Sequence, residues 1–484
     1  MNRHARLHGG LRLEGHKTRP FERPLLVAAP PDTAVLALDQ GSGEESEPVV
    51  TPGQAVRVGT VVAAGRTAAA ELHSPVSGTV RDVALRPTVR GTGRCIVIDS
   101  DGREERDAQW VPLDWRAMDA VALLGHIAAA GIAGLGGGSF PTAAKLALAR
   151  TAGVGSLLLN GAECEPWICC DDALMRERAA DVVLGAQVML AACGAERCII
   201  AVEDDKAQAI AAIESALTAA ADSRVTVMVL PAIFPLGAEG PLVTAVTGQE
   251  VPRDGLPPDV GVVCQNVGTA AAVAGLVRDG LPLVSRIVTV TGGGVRQPAN
   301  VEARIGTPLA ELIEACGGYS GAQSRLVAGG SLTGRALACD AVPVTKGLNC
   351  ALVAAADDLP ARAPETPCIR CGDCAVVCPA RLLPQQLHVA AQADDAGALA
   401  RFGLGACIEC GCCDHVCPSA IPLTSRFRAA RERQHLRQAE RQRALDARAR
   451  YEAHQRRLAE HADAEQRAFD AARRRARDSG KAAD

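Results

Sequence analysis

The spacing of hydrophobic positions changes repeatedly along the chain, and each change predicts a different kind of unit. Between residues 25 and 100, short apolar runs alternate with Gly and Pro turns. The stretch Val49-Val-Thr-Pro-Gly-Gln-Ala-Val-Arg-Val-Gly59 and the later His73-Ser-Pro-Val-Ser-Gly-Thr-Val80 read as short strands of a small β-sandwich. From 117 to 275 the period lengthens. A helix over 118–130 leads into the turn Gly131-Ile-Ala-Gly-Leu-Gly-Gly-Gly-Ser-Phe-Pro-Thr142, and a short helix runs to Arg150. A strand at 156–160, a long helix at 171–192, a strand at 197–202, a helix at 205–220 and a strand at 224–230 follow. Such alternation predicts a parallel α/β sheet with ligands near the carboxyl ends of its strands. Between 285 and 318, strands at 286–290 and 301–305 flank Gly292-Gly-Gly294. Thr307 as N-cap with Pro308 at N1 starts a helix that stops at Gly317-Gly318. Beyond Thr424 the chain is Arg, Ala, Gln and Glu with few breakers. Phe427, Leu436, Leu445, Tyr451, Leu458 and Phe469 recur there without a clean heptad. That pattern reads as a solvated, partly helical tail, with a basic helix lying on a partner or on anionic lipid as the alternative.

The fold expected is a multidomain α/β assembly. Residues 1–115 would form a basic arm and a lipoyl-like β-sandwich, 116–280 the parallel-sheet domain, and 281–345 a β-grasp-like module. Residues 346–423 would be a ferredoxin-like segment and 424–484 a charged tail. A sandwich of the biotinyl/lipoyl kind usually offers a lysine on its hairpin tip. None lies between Pro52 and Val83, so a structural or docking role is expected. At 484 residues the chain exceeds one typical core. Aromatics at 2% mean cores built from Ala, Val and Leu. The net charge of −4 hides Arg-rich ends around an acidic middle, and no nucleic-acid partner is expected. The longest apolar stretches, 121–135 and 262–277, are short and broken by polar residues, so no transmembrane helix is expected. In a reducing compartment the 19 cysteines would be thiols or metal ligands, not disulfides.

Eight of them carry the strongest chemical signal. They form two identical runs, Cys368-x2-Cys371-x2-Cys374-x3-Cys378-Pro379 and Cys407-x2-Cys410-x2-Cys413-x3-Cys417-Pro418. This is the spacing of two-cluster ferredoxins, in which each run gives three thiolates to one [4Fe–4S] cube and its fourth to the other. The expected sets are Cys368/Cys371/Cys374/Cys417 and Cys407/Cys410/Cys413/Cys378. Zinc is the rival for Cys-x2-Cys pairs, but it takes four ligands in two separated pairs and fits two runs of four less well. Cys412 is a ninth cysteine in this region, read as a bystander able to exchange with Cys413.

Three loops add candidate binding groups. Gly134-Leu-Gly-Gly-Gly138 presents backbone N–H groups with no Cβ to block a phosphate, and Lys145 sits one turn into the next helix. A turn between helices is the plain alternative, since Ser139 stands where a dinucleotide fingerprint needs its third Gly. Asn160-Gly-Ala-Glu-Cys-Glu-Pro166 follows a buried strand, placing Glu163 and Glu165 at a sheet edge. Cys264-Gln-Asn-Val-Gly-Thr269 places Asn266 and Thr269 between apolar runs.

Taken together in this order, these loops and the two cysteine runs resemble the RnfC family, one of the subunits of the Rnf (Rsx) electron-transport complex, over about residues 20–425. The phrases Cys368-Ile-Arg-Cys-Gly, Pro379-Ala-Arg-Leu-Leu-Pro-Gln-Gln-Leu and Cys407-Ile-Glu-Cys-Gly agree as well. The resemblance implies a central domain similar to the flavin-binding subunit of respiratory complex I, taking FMN and NAD(H). Gly134, Gly136, Gly137 and Lys145 would cradle FMN, and Asn160, Glu163, Asn266 and Thr269 would contact the flavin. Glu165 and Phe140 would face the nicotinamide nucleotide. It further implies a peripheral protein on the cytoplasmic side of the bacterial inner membrane. Its partners would be the other Rnf subunits, integral membrane ones included, and ferredoxin or flavodoxin. The chain departs from the family at Ser139, a glycine there. It also departs at Gly240, where a lysine is usual, and at Gly329-Gly-Ser-Leu-Thr-Gly334, which replaces Gly-Gly-Pro-Met-Met-Gly. Cys169-Cys170 stands where small or polar residues are usual. A soluble flavin-dependent NADH–ferredoxin oxidoreductase component and a non-catalytic electron-transfer adapter are the alternative readings.

Overall fold

Four parallel strands, each preceded or followed by a helix, organise the middle of the chain: β1 (Ser156–Gly161), β2 (Arg197–Glu203), β3 (Val225–Leu230) and β4 (Val262–Asn266). Both faces of this sheet are covered, which is why β1 reads as an unbroken apolar run; Leu157, Leu158 and Leu159 are all buried. The strand order is β3-β2-β1-β4. The chain thus winds outward from β1 in one direction and then adds β4 on the other side. That reversal opens a crevice at the carboxyl ends of β1 and β4. Asn160 and Asn266 are register partners there.

The computed structural model describes residues 7–253, 255–359 and 363–480. Around the sheet lie α1 (Ala120–Ala129), α2 (Thr142–Ala152), α3 (Cys170–Glu177), α4 (Ala179–Cys193), α5 (Ala207–Ala220), α6 (Glu239–Thr247) and α7 (Val267–Asp279). Left-handed glycines end α2, α4 and α7 at Gly153, Gly194 and Gly280. The single helix expected over 171–192 is two helices. Arg178 leaves the helical region (φ −134°, ψ 38°) and its guanidinium pairs with Glu302. Local sequence carries no trace of that distant carboxylate.

Preceding this domain is an antiparallel sandwich. The strands Gly78–Thr88 and Gly91–Ser100 pair with each other and are flanked by Thr33–Ala37 and Ala55–Val56. A second sheet holds Glu47–Pro48, Val61–Ala64 and Leu72–His73. A fully buried lysine joins the sandwich to the next domain: Lys346 Nζ donates to the carbonyls of Glu71 (2.5 Å) and Gly131 (2.7 Å). Burial depresses its amine to about 7.

After the parallel sheet come β5 (Ser285–Thr291), β6 (Ala299–Arg304), α8 (Leu309–Ala315), β7 (Gln323–Ala328), β8 (Arg335–Leu337) and β9 (Cys350–Ala355). Together with Leu26–Val27 they make a sheet ordered Leu26–Val27, β6, β5, β9, β7, β8. β9 lies in its middle although it follows residue 345, the expected end of this module. The helix starts one residue later than expected. Pro308, not Thr307, is its N-cap, and the Thr307 hydroxyl is buried without a hydrogen-bond partner. Two short helices, α9 (Asp373–Val376) and α10 (Cys412–His415), carry the cysteine runs.

The chain divides into two compact units, Met1–Gln385 with Ala406–Ile421, and Gln386–Gly405 with Pro422–Asp484. The sheet domains and all eight run cysteines belong to the first. The second is dominated by α11 (Leu423–Gly480), whose Leu436, Leu445, Tyr451, Leu458 and Phe469 are exposed. Among the described residues, no helix is long and apolar enough to cross a membrane.

Candidate functional site

The Gly-rich loop is closed by its own backbone. Gly134 N–H donates to the Phe140 carbonyl (2.9 Å) and Ser139 N–H to the Gly134 carbonyl (3.1 Å). Gly136, Gly137 and Gly138 are exposed, and Gly137 has φ +105° with open space around it. Leu135 N–H donates to Thr269 Oγ1 (2.9 Å), so the buried Thr269 anchors the loop to the first turn of α7. Ser139 is in the left-handed region at φ +48°, where a glycine would be relaxed. The strain, about 1 kcal/mol, is offset by a buried hydrogen bond from its hydroxyl to the Gln40 carbonyl (2.8 Å). This residue therefore ties the loop to the sandwich. Lys145 contacts the Glu239 carboxylate at the start of α6. Phe140 is exposed. A cleft of about 710 Å³, open solvent included, runs beside Gly137 and is also lined by Arg90, Gly329, Thr333, Arg335 and Gly347.

At the carboxyl ends of β1 and β4 the polar side chains interlock. Asn160 Nδ2 donates to the Gly237 carbonyl (2.8 Å) while its Oδ1 accepts from Ala162 N–H (3.0 Å). Asn266 caps α7 by accepting from Gly268 N–H (2.8 Å), and its Nδ2 donates to Asp171 Oδ2 (2.6 Å). Glu163 is buried and caps α3: its carboxylate accepts from Asp171 N–H (3.0 Å), Asp172 N–H (3.2 Å) and the Cys170 thiol (3.2 Å). The ligating atoms of Glu163, Cys170 and Asp171 lie within 4.8 Å of one another. Burial first, then the Glu163 charge, pushes the Asp171 carboxyl up to about 7. Asp171 was visible in the sequence only as a first-turn acid of a helix.

Glu165 turns elsewhere. Its carboxylate accepts from Leu332 N–H and Thr333 N–H (both 2.9 Å) and from Thr333 Oγ1 (2.7 Å). Burial raises its pKa. A Cβ on Gly330 would lie 2.3 Å from Glu165 Cγ, so the divergent 329–334 segment wraps this carboxylate closely. The structure thus brings Asn160, Glu163, Asn266 and Thr269 around one crevice beside the Gly-rich loop, and directs Glu165 to a separate loop that lines the cleft at Gly137.

The two cysteine runs repeat the same backbone. Left-handed residues fall at matching positions: Arg370 and Glu409, Gly372 and Gly411, Arg381 and Ala420. Hydrogen bonds between Thr366 and Ser419 (3.0 Å) and between Ser419 Oγ and the Pro367 carbonyl (3.0 Å) hold the runs together. After burial, the charges that act on Cys374 are those of Cys371, Cys368 and Cys417, so the second run's last thiol stands with the first run. Among the charges acting on Cys378, that of Cys410 is the one from a cysteine. Leu382 N–H donates to Cys378 Sγ (3.4 Å), as backbone amides do to cluster sulfur. Cys412 is fully buried beside Cys410, Cys413 and Cys378. An all-thiolate donor set in two interleaved groups fits iron–sulfur cubes, and the open Gly136–Gly138 backbone is a cradle that a Cβ would fill.

Known proteins match these features in the same order. A family model described as the RnfC barrel sandwich hybrid domain matches residues 5–103. The Nuo51 FMN-binding domain matches 127–275, an SLBB domain 287–336, and a 4Fe-4S dicluster domain 361–418. The chain is 45% identical over 463 residues to the RnfC-type protein of the ion-translocating oxidoreductase complex of Pseudomonas aeruginosa, covering 93% of this chain and 58% of the relative. The protein of the same name from Rhodobacter capsulatus is 39% identical over 429 residues, covering 88% of this chain and 82% of the relative. The chain thus spans a little over half the length of the Pseudomonas relative and of the Erwinia tasmaniensis one, of which it covers 56%. Among solved structures, it is similar to an NAD+-reducing [NiFe]-hydrogenase in the H2-reduced state (TM-score 0.46, 22% identity, 62% of this chain and 61% of that chain), a likeness too loose to transfer any detail.

Proposed function

The chain belongs to the RnfC family of ion-translocating oxidoreductase complexes, and from that premise we propose that it exchanges electrons between NAD(H) and one-electron carriers through FMN and two [4Fe–4S] clusters. In this reading it is a peripheral protein on the cytoplasmic face of an Rnf-type membrane complex that couples NAD(H)–ferredoxin electron transfer to ion movement. Its partners are the membrane subunits and ferredoxin or flavodoxin.

The observation that carries the proposal is a coincidence within one compact unit: an open glycine backbone, the Asn160/Asn266 pair at the sheet's switch point, and eight interleaved thiols. FMN supplies the conversion between a hydride and single electrons. The chain's residues do the rest. Gly134, Gly136, Gly137 and Lys145 bind it, with Thr269 holding the loop in place through Leu135. Asn160, Asn266 and Glu163 orient it. Phe140 and Glu165 would face the nicotinamide nucleotide, and Asp171, its carboxyl pushed up to about 7 by burial and the Glu163 charge, would hold Asn266 in place beside the flavin. Cys368, Cys371, Cys374 and Cys417 hold one cube, and Cys407, Cys410, Cys413 and Cys378 the other.

One observation favours the adapter reading instead. Lys145 is already paired with Glu239, and Gly240 offers no cation in its place. Titrating anaerobically purified protein with FMN separates the two. We expect flavin fluorescence to be quenched with a stoichiometry of about one FMN per chain. Unquenched fluorescence up to excess FMN, with the clusters intact, would leave an electron-transfer adapter.

A further inference from the structure

The N-terminal arm is stitched to the first cysteine run and to the loops that follow β3 and β1. Gly10 N–H donates to the Val377 carbonyl (3.0 Å), next to Cys378. Leu11 and Phe234 exchange backbone hydrogen bonds of 2.7 and 2.9 Å. Trp167 N–H donates to the Gly15 carbonyl (2.8 Å), and its indole stacks on His16 with centroids 4.5 Å apart and planes 8° from parallel. Leu25 N–H then reaches the Glu177 carboxylate (2.8 Å). Gly9 and Gly10 have φ of +66° and +78°, and a Cβ on either would lie 2.7 Å from the Val377 or Phe234 backbone. No other residue lets the arm lie so close.

Between these anchors Lys17 reaches the crevice. Its amine donates to the main-chain carbonyl of Glu163, directly after β1. Its charge acts on Cys164, Glu165, Cys169, Glu203 and Cys350. The neighbouring cations are engaged: Lys206 by Glu203 and Asp205, Lys145 by Glu239, Arg176 by Asp172, and the buried Arg286 by the carbonyls of Leu135 and Lys346. Lys17 is held by a neutral carbonyl, and no carboxylate lies within ion-pair distance of it among the described residues. Glu203 Oε1, which feels the Lys17 charge, is buried with no partner. A crevice that holds the Glu163 and Asp171 carboxylates repels an anion unless a cation faces it.

We propose that the arm is a strap closing the cofactor crevice and that Lys17 is its anion-recognition group, meeting a phosphate or an electron-rich reduced flavin ring. The inference rests on the FMN reading above. It also accounts for Gly240. The segment leading to that residue lies against the same loop, with Gly237 N–H donating to Cys164 Sγ (3.3 Å) and the Gly237 carbonyl accepting from Asn160. Lys17 brings to this loop the positive charge that position 240 lacks.

The test is Lys17→Met in the full chain, read by FMN and riboflavin affinity and by the flavin midpoint potential. A charge-assisted hydrogen bond is worth about tenfold or more in binding. If the anion is the phosphate, FMN affinity falls about tenfold while riboflavin affinity is unchanged. If it is the reduced ring, oxidised FMN binds as before and the potential falls. Lys17→Arg restores either property, and Gly10→Val, which lifts the arm while keeping Lys17, reproduces the loss. Iron content serves as the control for folding and stays constant. Equal affinities and potential in Lys17→Met and the unmodified chain would overturn the strap while leaving the flavin reading intact. An unmodified chain that binds neither flavin would overturn both.

Discussion

Replacing Cys417 with alanine removes the cube of the first cysteine run, not of its own. The thiol charges acting on Cys374 are those of Cys371, Cys368 and Cys417, and the repeated backbone of the two runs makes the arrangement reciprocal. Iron content falls by about half, from about eight per chain. Double variants give the assignment its sharpest form. Adding Cys371→Ala to Cys417→Ala costs no further iron, because that cube is already gone. Adding Cys410→Ala removes the remainder. Ligation within each run predicts the reverse: Cys410→Ala would then be silent in the Cys417→Ala background and Cys371→Ala would remove the rest. Iron and acid-labile sulfide analysis of the four proteins decides between them.

Gly185→Ala, far from any proposed ligand, unfolds the central domain at a lower temperature. Gly185 lies where α4 crosses α7, and a Cβ there would sit 1.9 Å from the Ala270 carbonyl oxygen and 2.8 Å from its Cα. Both obstacles are backbone, so no rotamer change relieves them and the helices must separate. The expected cost is about 3 kcal/mol, or roughly 6 to 12 °C in midpoint. The damage also reaches the site. α7 carries Asn266 at its N-cap and Thr269 in its first turn, and Thr269 holds the Gly-rich loop through Leu135. FMN binding therefore weakens along with stability. A midpoint within about 1 °C of the unmodified protein would mean that this crossing is looser than the structure shows.

What could be read from the sequence was what local spacing encodes. Cysteine runs announce iron–sulfur ligation because the ligand geometry is set by a few consecutive residues. Alternating periods announce a parallel sheet because burial on both faces leaves unbroken apolar strands. The positions that escaped are those decided by partners far along the chain. Arg178 breaks a helix for Glu302, 124 residues later. Glu165 is bound by Thr333, 168 residues away, and Lys17 reaches the Glu163 carbonyl across 146. Glu163 itself was legible as a carboxylate at a sheet edge, but not as the cap of α3. That role follows from how the chain turns between Cys164 and Cys169. Ser139 reads as a departure from its family until the Gln40 carbonyl is seen beside it.

In the proposed function electrons run from NAD(H) through flavin to the cubes. Anaerobic protein replete in iron and FMN, mixed with NADH and frozen for EPR, tests that path directly. The expected result is reduced-cluster signals appearing with NADH alone. Clusters reduced by dithionite but silent to NADH, with FMN bound, would contradict it.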